Sequence, residues 1–338
     1  MNQKFVKTII YSLIALIVLL LISLLGISVG AENIPLSTVI KTLFNIENSQ
    51  LYEDIIINLR LPRVILGFAV GGALSISGLL LQGIFRNPLV EPFTIGISGG
   101  ASVGISLLTL LNLENIIGFL SLPVSGFLGA ILIILLVYKL GIKNNTFRIT
   151  NILLIGVMIS FISSSLVMFI MAISKSKDIN TILFWLMGSL EESNLKLILI
   201  TLFISIFGLI IAFVLSRKLN LFSLGEEEAK SLGLNVERIK RLVYLTASVL
   251  TGFCVAVSGV ISFVGLIIPH FMRILLGKDN RLLVITSYLI GGAFLILSDT
   301  LARTVIAPLQ LPVGVITGLI GGISFIYLLN RKNVNIFG

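Results

Sequence analysis

Residues 60–92 read RLPRVILGFAVGGALSISGLLLQGIFRNPLVEP, a long apolar run between two cationic ends. The part from 62 to 84 is long enough for a helix that crosses the hydrocarbon core of a bilayer, which takes about 20 apolar residues. Small residues recur within it, Gly71 and Gly78 among them, and in lipid such residues let helix backbones approach closely. The stretch therefore predicts a membrane-spanning helix that packs tightly among other helices.

The composition of the whole chain is that of a membrane protein. Of the 338 residues, 57% are hydrophobic and 12% are charged, and the mean hydropathy is +1.12, whereas soluble domains are about 25% charged. The net charge of +9 is spread over short connecting segments without interleaved aromatic residues, which argues against nucleic acid as a partner. Cys254 and His270 are the only residues of their types, which excludes an intrachain disulfide and a metal centre built from several such ligands.

Ten apolar segments are long enough to be predicted as membrane spans. They cover residues 8–29, 62–84, 93–111, 117–139, 149–172, 195–216, 241–258, 260–276, 282–299 and 312–330. The first is longer than the apolar core of a signal peptide, about 7–15 residues, so we predict a retained span. The seventh and eighth are interrupted by Gly252, Gly259, Gly265 and Pro269, which predicts a short or broken span in that block.

The distribution of lysine and arginine predicts which ends of the spans face the cytoplasm. With the N-terminus inside, seventeen of the 24 basic residues lie on the inner side. The other seven are Lys41, Arg60, Arg63, Lys175, Lys177, Lys196 and Arg303. This asymmetry predicts that both termini are inside. The three outer arginines lie beside helix ends, where they either snorkel to lipid headgroups or meet an acidic partner.

Two connecting segments are long enough to form structure of their own. The outer one, 173–194, carries the sequence FWLMGSL with the only tryptophan, which we interpret as an interfacial anchor. The inner one, 217–240, contains apolar residues split by Gly225 and Gly233, which predicts two short helices at 221–234 joined by a turn. A solvated loop and a docking surface both remain open for this segment.

Two absences narrow the function. The sequence contains no GxxxxGK[ST] phosphate-binding loop, so the chain itself does not hydrolyse ATP. The predicted spans hold almost no acidic residue, since Asp299 lies at a span end and Glu91 in a loop, whereas carriers driven by protons or sodium keep ionisable groups at membrane depth. An ion-coupled carrier, with His270 as a candidate coupling residue, is the alternative from a different class.

Several short motifs occur in order along nearly the whole chain. They are Leu59 to Arg63, Gly78 to Gln82, Arg86 to Leu89 with Pro92, Gly96 to Ala101, Trp185 to Ser189, Leu224 to Gly233, Gly259 to His270, Asp299 to Arg303 and Leu311 to Gly314. In residue type and spacing they resemble the ATP-binding-cassette (ABC) permeases that import ferric siderophores, haem and vitamin B12.

The resemblance implies an all-α, polytopic membrane protein like the vitamin B12 permease, with about ten spans and with both termini inside. It implies a single permease domain over residues 1–338, with a cytoplasmic coupling segment at 217–240 and an extracytoplasmic helical segment at 173–194. The implied partners are a second copy or a paralogue, two cytoplasmic ATPase subunits that bind ATP and magnesium, and an extracytoplasmic solute-binding protein. The chain would have no catalytic residue, metal or cofactor of its own. It would lie in the cell membrane of a bacterium or archaeon, the inner membrane where there are two.

The resemblance also assigns roles to residues of this chain. The basic residues that would receive acidic groups of the solute-binding protein are Arg60, Arg63 and Arg303. The residues that would couple the permease to the ATPase are Leu224, Gly225, Glu226, Ala229, Leu232 and Gly233. The fifth span and the loops 86–92 and 143–148 would form the translocation path and its gate, through Asn87, Pro88, Leu89, Thr146, Gly156 and Ser160.

Two residues depart from the family pattern. Gln310 stands where a glutamate commonly precedes the Leu-Pro-Val-Gly motif, and Ile323 stands where a proline commonly follows two glycines. The first removes an outer negative charge near Arg303, and the second predicts a straighter last helix. We expect the cargo to be an iron complex, a ferric siderophore ahead of haem and vitamin B12, which passes through a cavity with few fixed charges.

Overall fold

The computed structural model describes residues 3–44, 46, 50–113, 118–143 and 146–330. Its helices are α1 (Gln3–Ser28), α2 (Leu36–Leu43), α3 (Gln50–Glu53), α4 (Leu61–Phe85), α5 (Ile97–Leu110), α6 (Ser121–Gly141), α7 (Ile149–Ile173), α8 (Ser176–Met187), α9 (Leu195–Phe222), α10 (Glu226–Ser231), α11 (Val236–Ser258), α12 (Val264–Leu276), α13 (Asn280–Thr304) and α14 (Val313–Asn330). A π-helical segment, Asp54–Arg60, joins α3 to α4, and 3-10 turns cover Pro92–Ile95 and Gly118–Leu120. The short strands β1 (Ile142–Lys143) and β2 (Thr146–Phe147) pair as an antiparallel hairpin. The predicted all-α class is confirmed.

Seven helices among the described residues are long and apolar enough to cross a membrane. They are Val6–Ser28, Gln50–Phe85, Gly118–Gly141, Ile149–Ile173, Leu195–Phe222, Val236–Ser258 and Asn280–Thr304. Three shorter apolar helices, Ile97–Leu110, Val264–Leu276 and Val313–Tyr327, lie in the remaining predicted segments. Seven predicted spans are thus confirmed as helices of spanning length, and the other three are shorter than the roughly 20 residues that a crossing takes.

Helix α4 forms the centre of the bundle. Its apolar stretch is 89% buried, whereas that of α7 is 28% buried, and it packs against α9, α11, α12 and α13. Two of its glycines permit this packing. A Cβ on Gly71 would overlap the carbonyl oxygen of Gly291, and a Cβ on Gly78 would overlap that of Gly265. The close packing predicted from small residues is therefore present where α4 crosses α13 and α12.

The helix that contains α4 begins earlier than predicted. Helical structure is continuous from Gln50 to Phe85, and the segment Asp54–Arg60 within it is π-helical. Pro62, in the first turn of α4, has no N–H to donate, and its ring needs room beside the preceding turn. A π-helical turn is wider than an α-helical one, so it leaves room for the proline ring and tolerates the missing hydrogen bond. Arg60 and Arg63, three residues apart, consequently lie on one face of a continuous helix.

The inner segment 217–240 differs from the prediction of two short helices. Helix α9 continues through 217–222, and α10 is the one short helix between it and α11. Two glycines with positive φ bound α10, Gly225 at 138° and Gly233 at 83°, because glycine alone adopts such angles without strain. Helix α11 then begins behind Asn235, whose side chain accepts a hydrogen bond from a free N–H of the first turn.

The block that contains Gly252 and Pro269 holds one uninterrupted helix and one short helix. Helix α11 runs unbroken through Gly252, so the seventh predicted span is not interrupted, while α12 has 13 residues, as expected for a short span. Residues 259–263 are not helical, and they end at Phe263, whose φ is 69°. Pro269 lies inside α12 without ending it.

Candidate functional site

Arg60, at the end of the π-helical segment before α4, caps the C-terminal end of α1. Its Nη1 donates hydrogen bonds to the carbonyl oxygens of Ile27 at 2.7 Å and Ser28 at 2.8 Å, and its Nη2 donates one to that of Glu32 at 2.5 Å. The last carbonyls of a helix have no partner within the helix, and Arg60 supplies one. The residue is 6% exposed, so its contacts in this conformation are with its own chain.

Arg303 reaches the same end of α1 from α13. Its Nε lies 2.9 Å from Oδ2 of Asp299, one turn earlier on α13, and its Nη2 donates a hydrogen bond to the carbonyl oxygen of Gly26 at 3.0 Å. Arg303 is 7% exposed. The structure thus brings two of the three predicted docking arginines together at one helix end, where both are largely enclosed.

Arg63 is less enclosed than these two arginines, since 15% of its side chain is exposed and its acidic partner lies at the surface of the molecule. Its Nη2 is 2.5 Å from Oε1 of Glu191, and its Nη1 donates a hydrogen bond to Oε1 of Gln310 at 2.9 Å. The Glu191 side chain is 54% exposed. Gln310 thus keeps an acceptor for Arg63 at the position where the family commonly has a glutamate. Sequence reasoning missed Glu191, although two adjacent glutamates after α8 in a chain with so few acids were a signal.

The segment around α10 presents apolar side chains outward. Leu224 and Leu232, the residues that flank the short helix, are 60% and 59% exposed, whereas Ala229 between them is completely buried. Gly225 and Gly233 supply the backbone conformations that turn the chain into and out of α10. Exposed leucines on a compact element between two long helices form a surface that another protein can cover.

A buried lysine beside α10 was not identified from the sequence. Lys240 Nζ lies 2.7 Å from Oε2 of Glu226 on α10 and 3.8 Å from Oε1 of Glu237 on α11, and its side chain is 4% exposed. The ammonium also lies 6.0 Å from the centre of the Phe222 ring. Glu237 Oε2 accepts a hydrogen bond from the backbone N–H of Phe147 at 2.6 Å. The signal in the sequence was the spacing of Glu237 and Lys240, three residues apart on one helix face.

The first group of predicted path residues forms a turn after α4. Asn87 Oδ1 accepts a hydrogen bond from the N–H of Leu89 at 2.9 Å, which is the usual way that asparagine stabilises a turn. Pro88 is buried and Leu89 is exposed. This turn is preceded by Arg86, which is exposed and has a φ of 49°.

The second group lies on the hairpin and on α7. Thr146 is exposed on β2, and Ser160 Oγ donates a hydrogen bond to the carbonyl oxygen of Gly156 at 3.0 Å. A Cβ on Gly156 would come within 2.7 Å of the Ile95 Cα, so this glycine lets α7 pack closely against the 3-10 turn before α5. The exposed side of α7 carries large apolar residues instead, namely Leu154, Met158, Phe161, Ile162 and Phe169. Residues 144–145 of the predicted 143–148 loop, and the inner cations Arg331 and Lys332, lie outside the described residues.

Glu91, which lies between α4 and the 3-10 turn, has a contact that sequence reasoning did not find. Its Oε1 accepts a hydrogen bond from the N–H of Phe263, the residue directly before α12. Burial raises the pKa of Glu91 to about 7, and the hydrogen bond from Phe263 opposes that rise. Glu91 therefore joins the loop after α4 to the start of α12.

The last helix is continuous at the second departure from the family pattern. Helix α14 extends without a break past Ile323, which is exposed, as expected for a straighter last helix. His270 is buried and packs edge-on against Phe325 of the same helix, with 6.4 Å between ring centroids. These contacts give His270 a place in the packing of α12 against α14.

Comparison with known proteins gives matches over nearly the full length. The sequence model of the FecCD transport family matches residues 15–331. The hemin transport system permease protein HmuU of Yersinia pestis is 36% identical over 316 residues, which cover 93% of this chain and 94% of that protein. The cobalamin import system permease protein BtuC of Halobacterium salinarum is 38% identical over 282 residues, which cover 83% of this chain and 75% of that protein.

A solved structure also has the same fold. It is an inward-facing conformation of a transporter assigned to the metal-chelate type of ABC transporter, and it is 31% identical with a TM-score of 0.84. The match covers 95% of this chain and 98% of that one. The resemblance seen in the motifs and the membrane location are confirmed by these likenesses. The range matched by the family contains every candidate residue from Arg60 to Arg303.

Proposed function

Because this chain belongs to the FecCD transport family, we propose that it is the transmembrane permease subunit of an ABC importer that carries an iron complex into the cytoplasm. A ferric siderophore is the first candidate for the cargo. Separate ATPase subunits hydrolyse ATP, a solute-binding protein delivers the cargo, and a second copy of this chain or a paralogue completes the path. Haem and vitamin B12 are the alternatives, since two relatives of similar identity are named for hemin and cobalamin.

All ten apolar helices cross the membrane in this proposal, and both termini are inside. Helices α5 and α12 are too short alone, but each is preceded by residues that are not α-helical, a 3-10 turn with Gly96 at 92–96 and an irregular segment at 259–263. Non-helical backbone is tolerated at membrane depth where protein surrounds it. The excess of lysine and arginine in alternate connecting segments supports this orientation.

The surface around α10 is the observation that carries the proposal. Leu224 and Leu232 are exposed on either side of a six-residue helix, and the positive φ angles of Gly225 and Gly233 set its direction. We assign this surface to the ATPase, since the segment lies on the cation-rich side of the chain. Two residues attach α10 to the rest of the chain. Glu226 forms an ion pair with Lys240 of α11, and Ala229 is completely buried.

The arginines at the other end form the surface for the solute-binding protein in this proposal. Arg63 and its partner Glu191 supply the part that an acidic or basic group of another protein can reach. Arg60 and Arg303 lie beneath, where they hold the end of α1 that borders this surface. Docking through all three residues would require that the binding protein displace contacts within the chain.

Uptake in cells tests the function and identifies the cargo. Cells with and without the gene receive radiolabelled iron as a hydroxamate complex, a catecholate complex, citrate or haem, and radiolabelled vitamin B12 in a parallel series. We expect loss of uptake for one iron complex, restored by the wild-type gene but not by the Gly225→Pro variant. Loss of vitamin B12 uptake alone would assign a corrinoid instead. Intact uptake of every compound would contradict the proposal, and uptake that needs no ATPase partner would favour an ion-coupled carrier.

A further inference from the structure

We propose that Lys240 and Glu237 are positioning residues for transport, because they join α10 to the β1–β2 hairpin that leads into α7. We call the set formed by Glu226, Lys240, Glu237 and the N–H of Phe147 the Lys240 bridge. The inference rests on the proposed function, in which α10 contacts the ATPase, and on the family resemblance, which assigns the fifth predicted span, α7, to the translocation path. The Lys240 bridge then passes a displacement of α10 to the N-terminal end of α7.

The first contact of the Lys240 bridge joins two elements that glycines separate. Glu226 is the first residue of α10, and its Oε2 lies 2.7 Å from Nζ of Lys240 on α11. Between them the chain turns at Gly233, whose φ is 83°. Because the Lys240 side chain is 4% exposed, its ammonium has little water to replace a lost carboxylate, and a buried charge without a partner is costly. The pair therefore keeps α10 and α11 together.

The second contact uses both oxygens of one carboxylate. Glu237 Oε1 lies 3.8 Å from Nζ of Lys240, and Glu237 Oε2 accepts a hydrogen bond from the N–H of Phe147 at 2.6 Å. An ionised carboxylate accepts on both oxygens, so it can serve a cation and a backbone donor at once. Glu237 thus links the lysine to the hairpin, which lies 90 residues away in the sequence.

The third step leads from the hairpin to α7. Phe147 is buried, and its ring packs edge-on against Tyr244 of α11, with 5.6 Å between the centroids. The Tyr244 hydroxyl donates a hydrogen bond to the carbonyl oxygen of Ile134 on α6 at 3.1 Å. Directly after Phe147, the carbonyl oxygen of Arg148 accepts the hydrogen bond from the N–H of Ile152 that starts α7. One residue therefore separates the Lys240 bridge from α7.

A matched residue on the same helix provides the control. Arg238 is exposed on α11 between Glu237 and Lys240, so Arg238→Met removes one cation from that turn without altering the Lys240 bridge. Lys240→Met removes the buried cation. Glu237→Met removes both oxygens, whereas Glu237→Gln keeps an oxygen that can accept the hydrogen bond from Phe147.

The experiment uses the complete transporter, with its own ATPase subunits, in lipid. Ser160→Cys on α7 is labelled with a water-soluble maleimide in the absence of nucleotide and with ATP and magnesium, while ATP hydrolysis is followed in the same samples. The natural cysteine, Cys254, is buried. We expect nucleotide to change the labelling rate, and Lys240→Met and Glu237→Met to reduce that response about fivefold or more, a range typical of coupled sites. Arg238→Met keeps the full response, Glu237→Gln keeps more of it than Glu237→Met, and every variant still hydrolyses ATP.

A full response in both methionine variants would overturn the inference. If neither assembles, Glu226→Gln, which neutralises the partly exposed partner, takes their place and is expected to reduce the response in the same way. A transporter that carries Ser160→Cys as its only substitution, and that imports the iron complex but shows no nucleotide response at residue 160, would also overturn the inference while the permease function stands. Wild-type protein that imports none of the compounds would contradict the proposed function itself.

Discussion

Both ends of the bundle bury cationic side chains, two at one end and one at the other, but they hold them with different partners. At the arginine end, defined by Arg60 and Arg303, the guanidinium groups bind carbonyl oxygens at the end of α1 and one carboxylate on α13. At the lysine end, defined by Lys240, the ammonium binds carboxylates on α10 and α11. The arginines therefore hold one long helix in place, whereas the lysine joins a short element, bounded by two glycines with positive φ, to the rest of the chain. The first arrangement fixes a position, and the second can transmit a movement.

The largest effect on stability is expected from Arg303→Leu. It leaves Asp299 buried without its cation, and the loss of one partner from a buried ion pair typically costs about 3–5 kcal/mol of folding free energy. Unfolding of the purified protein in detergent measures the loss. The double variant Asp299→Leu with Arg303→Leu is the control, because it removes both charges and should recover most of the stability. If the double variant is no more stable than Arg303→Leu, the hydrogen bond from Arg303 to Gly26, rather than the ion pair with Asp299, stabilises this end.

A somewhat smaller loss is expected from Arg60→Met, which keeps the bulk of the side chain and removes its donors. The carbonyl oxygens of Ile27, Ser28 and Glu32 lose a charged partner, and hydrogen bonds to charged groups contribute about 1.5–3 kcal/mol. Hydrogen exchange followed by mass spectrometry should show faster exchange in the last turn of α1. Arg60→Lys retains a charged donor, so its exchange rate in the last turn of α1 should lie between those of wild type and Arg60→Met. Unchanged exchange at the end of α1 would contradict the capping role.

At the lysine end, Gly225→Ala tests whether the direction of α10 matters. The φ of 138° at this position belongs to a region that only glycine adopts easily, and a side chain there costs about 1–3 kcal/mol. We expect transport and ATPase stimulation by the binding protein to fall together while the bundle remains folded. Gly318→Ala is the control, since in the part of the chain that the structure describes no atom lies within 4 Å of the position of an added Cβ, and the φ of Gly318 is ordinary. Normal transport in Gly225→Ala would contradict a coupling role and show that this segment is only a connecting loop.

The smallest effect on stability is expected from Arg63→Gln, which removes the ion pair with Glu191 without placing a like charge beside it, since the pair is partly exposed and such pairs contribute about 0–1 kcal/mol. Its effect should instead appear as weaker affinity for the solute-binding protein, with the ATPase subunits still attached. Because salt screens exposed charges, the difference from wild type should shrink as salt is added. If stability falls as much as in Arg303→Leu and the affinity for the solute-binding protein is unchanged, Arg63 has the same structural role as Arg60 and Arg303.

The helical segments could be predicted because they depend on the local pattern of apolar residues. Runs such as 149–172 and 282–299 became helices α7 and α13 with nearly the predicted bounds. The errors lie where the pattern is ambiguous. The apolar residues 221 and 222 continue α9 instead of forming a separate short helix, because nothing in their sequence stops the helix before the positive φ of Gly225.

The site residues were less predictable, because their roles depend on partners that are distant in the sequence. The family resemblance assigns Arg60 and Arg303 to the docking of another protein, and only the structure shows that each also binds the end of α1. Glu191 and Glu237 were not singled out at all, since a surface carboxylate gains its meaning only from the residue that it meets. The family resemblance assigns Gly156 to the path, and its close packing against Ile95 could be seen only in the structure.

The amino-acid sequence by itself determined that the chain is a helical membrane protein, which segments are helical, and which family it resembles. Those properties follow from the cost of placing an unpaired backbone in lipid and from motifs that can be read along one chain. Only the tertiary structure decided which charges are buried and which are exposed. That distinction depends on how α1, α4 and α13 close around Arg60 and Arg303, and on how α10 and the hairpin close around Lys240, because water is excluded only where several helices meet.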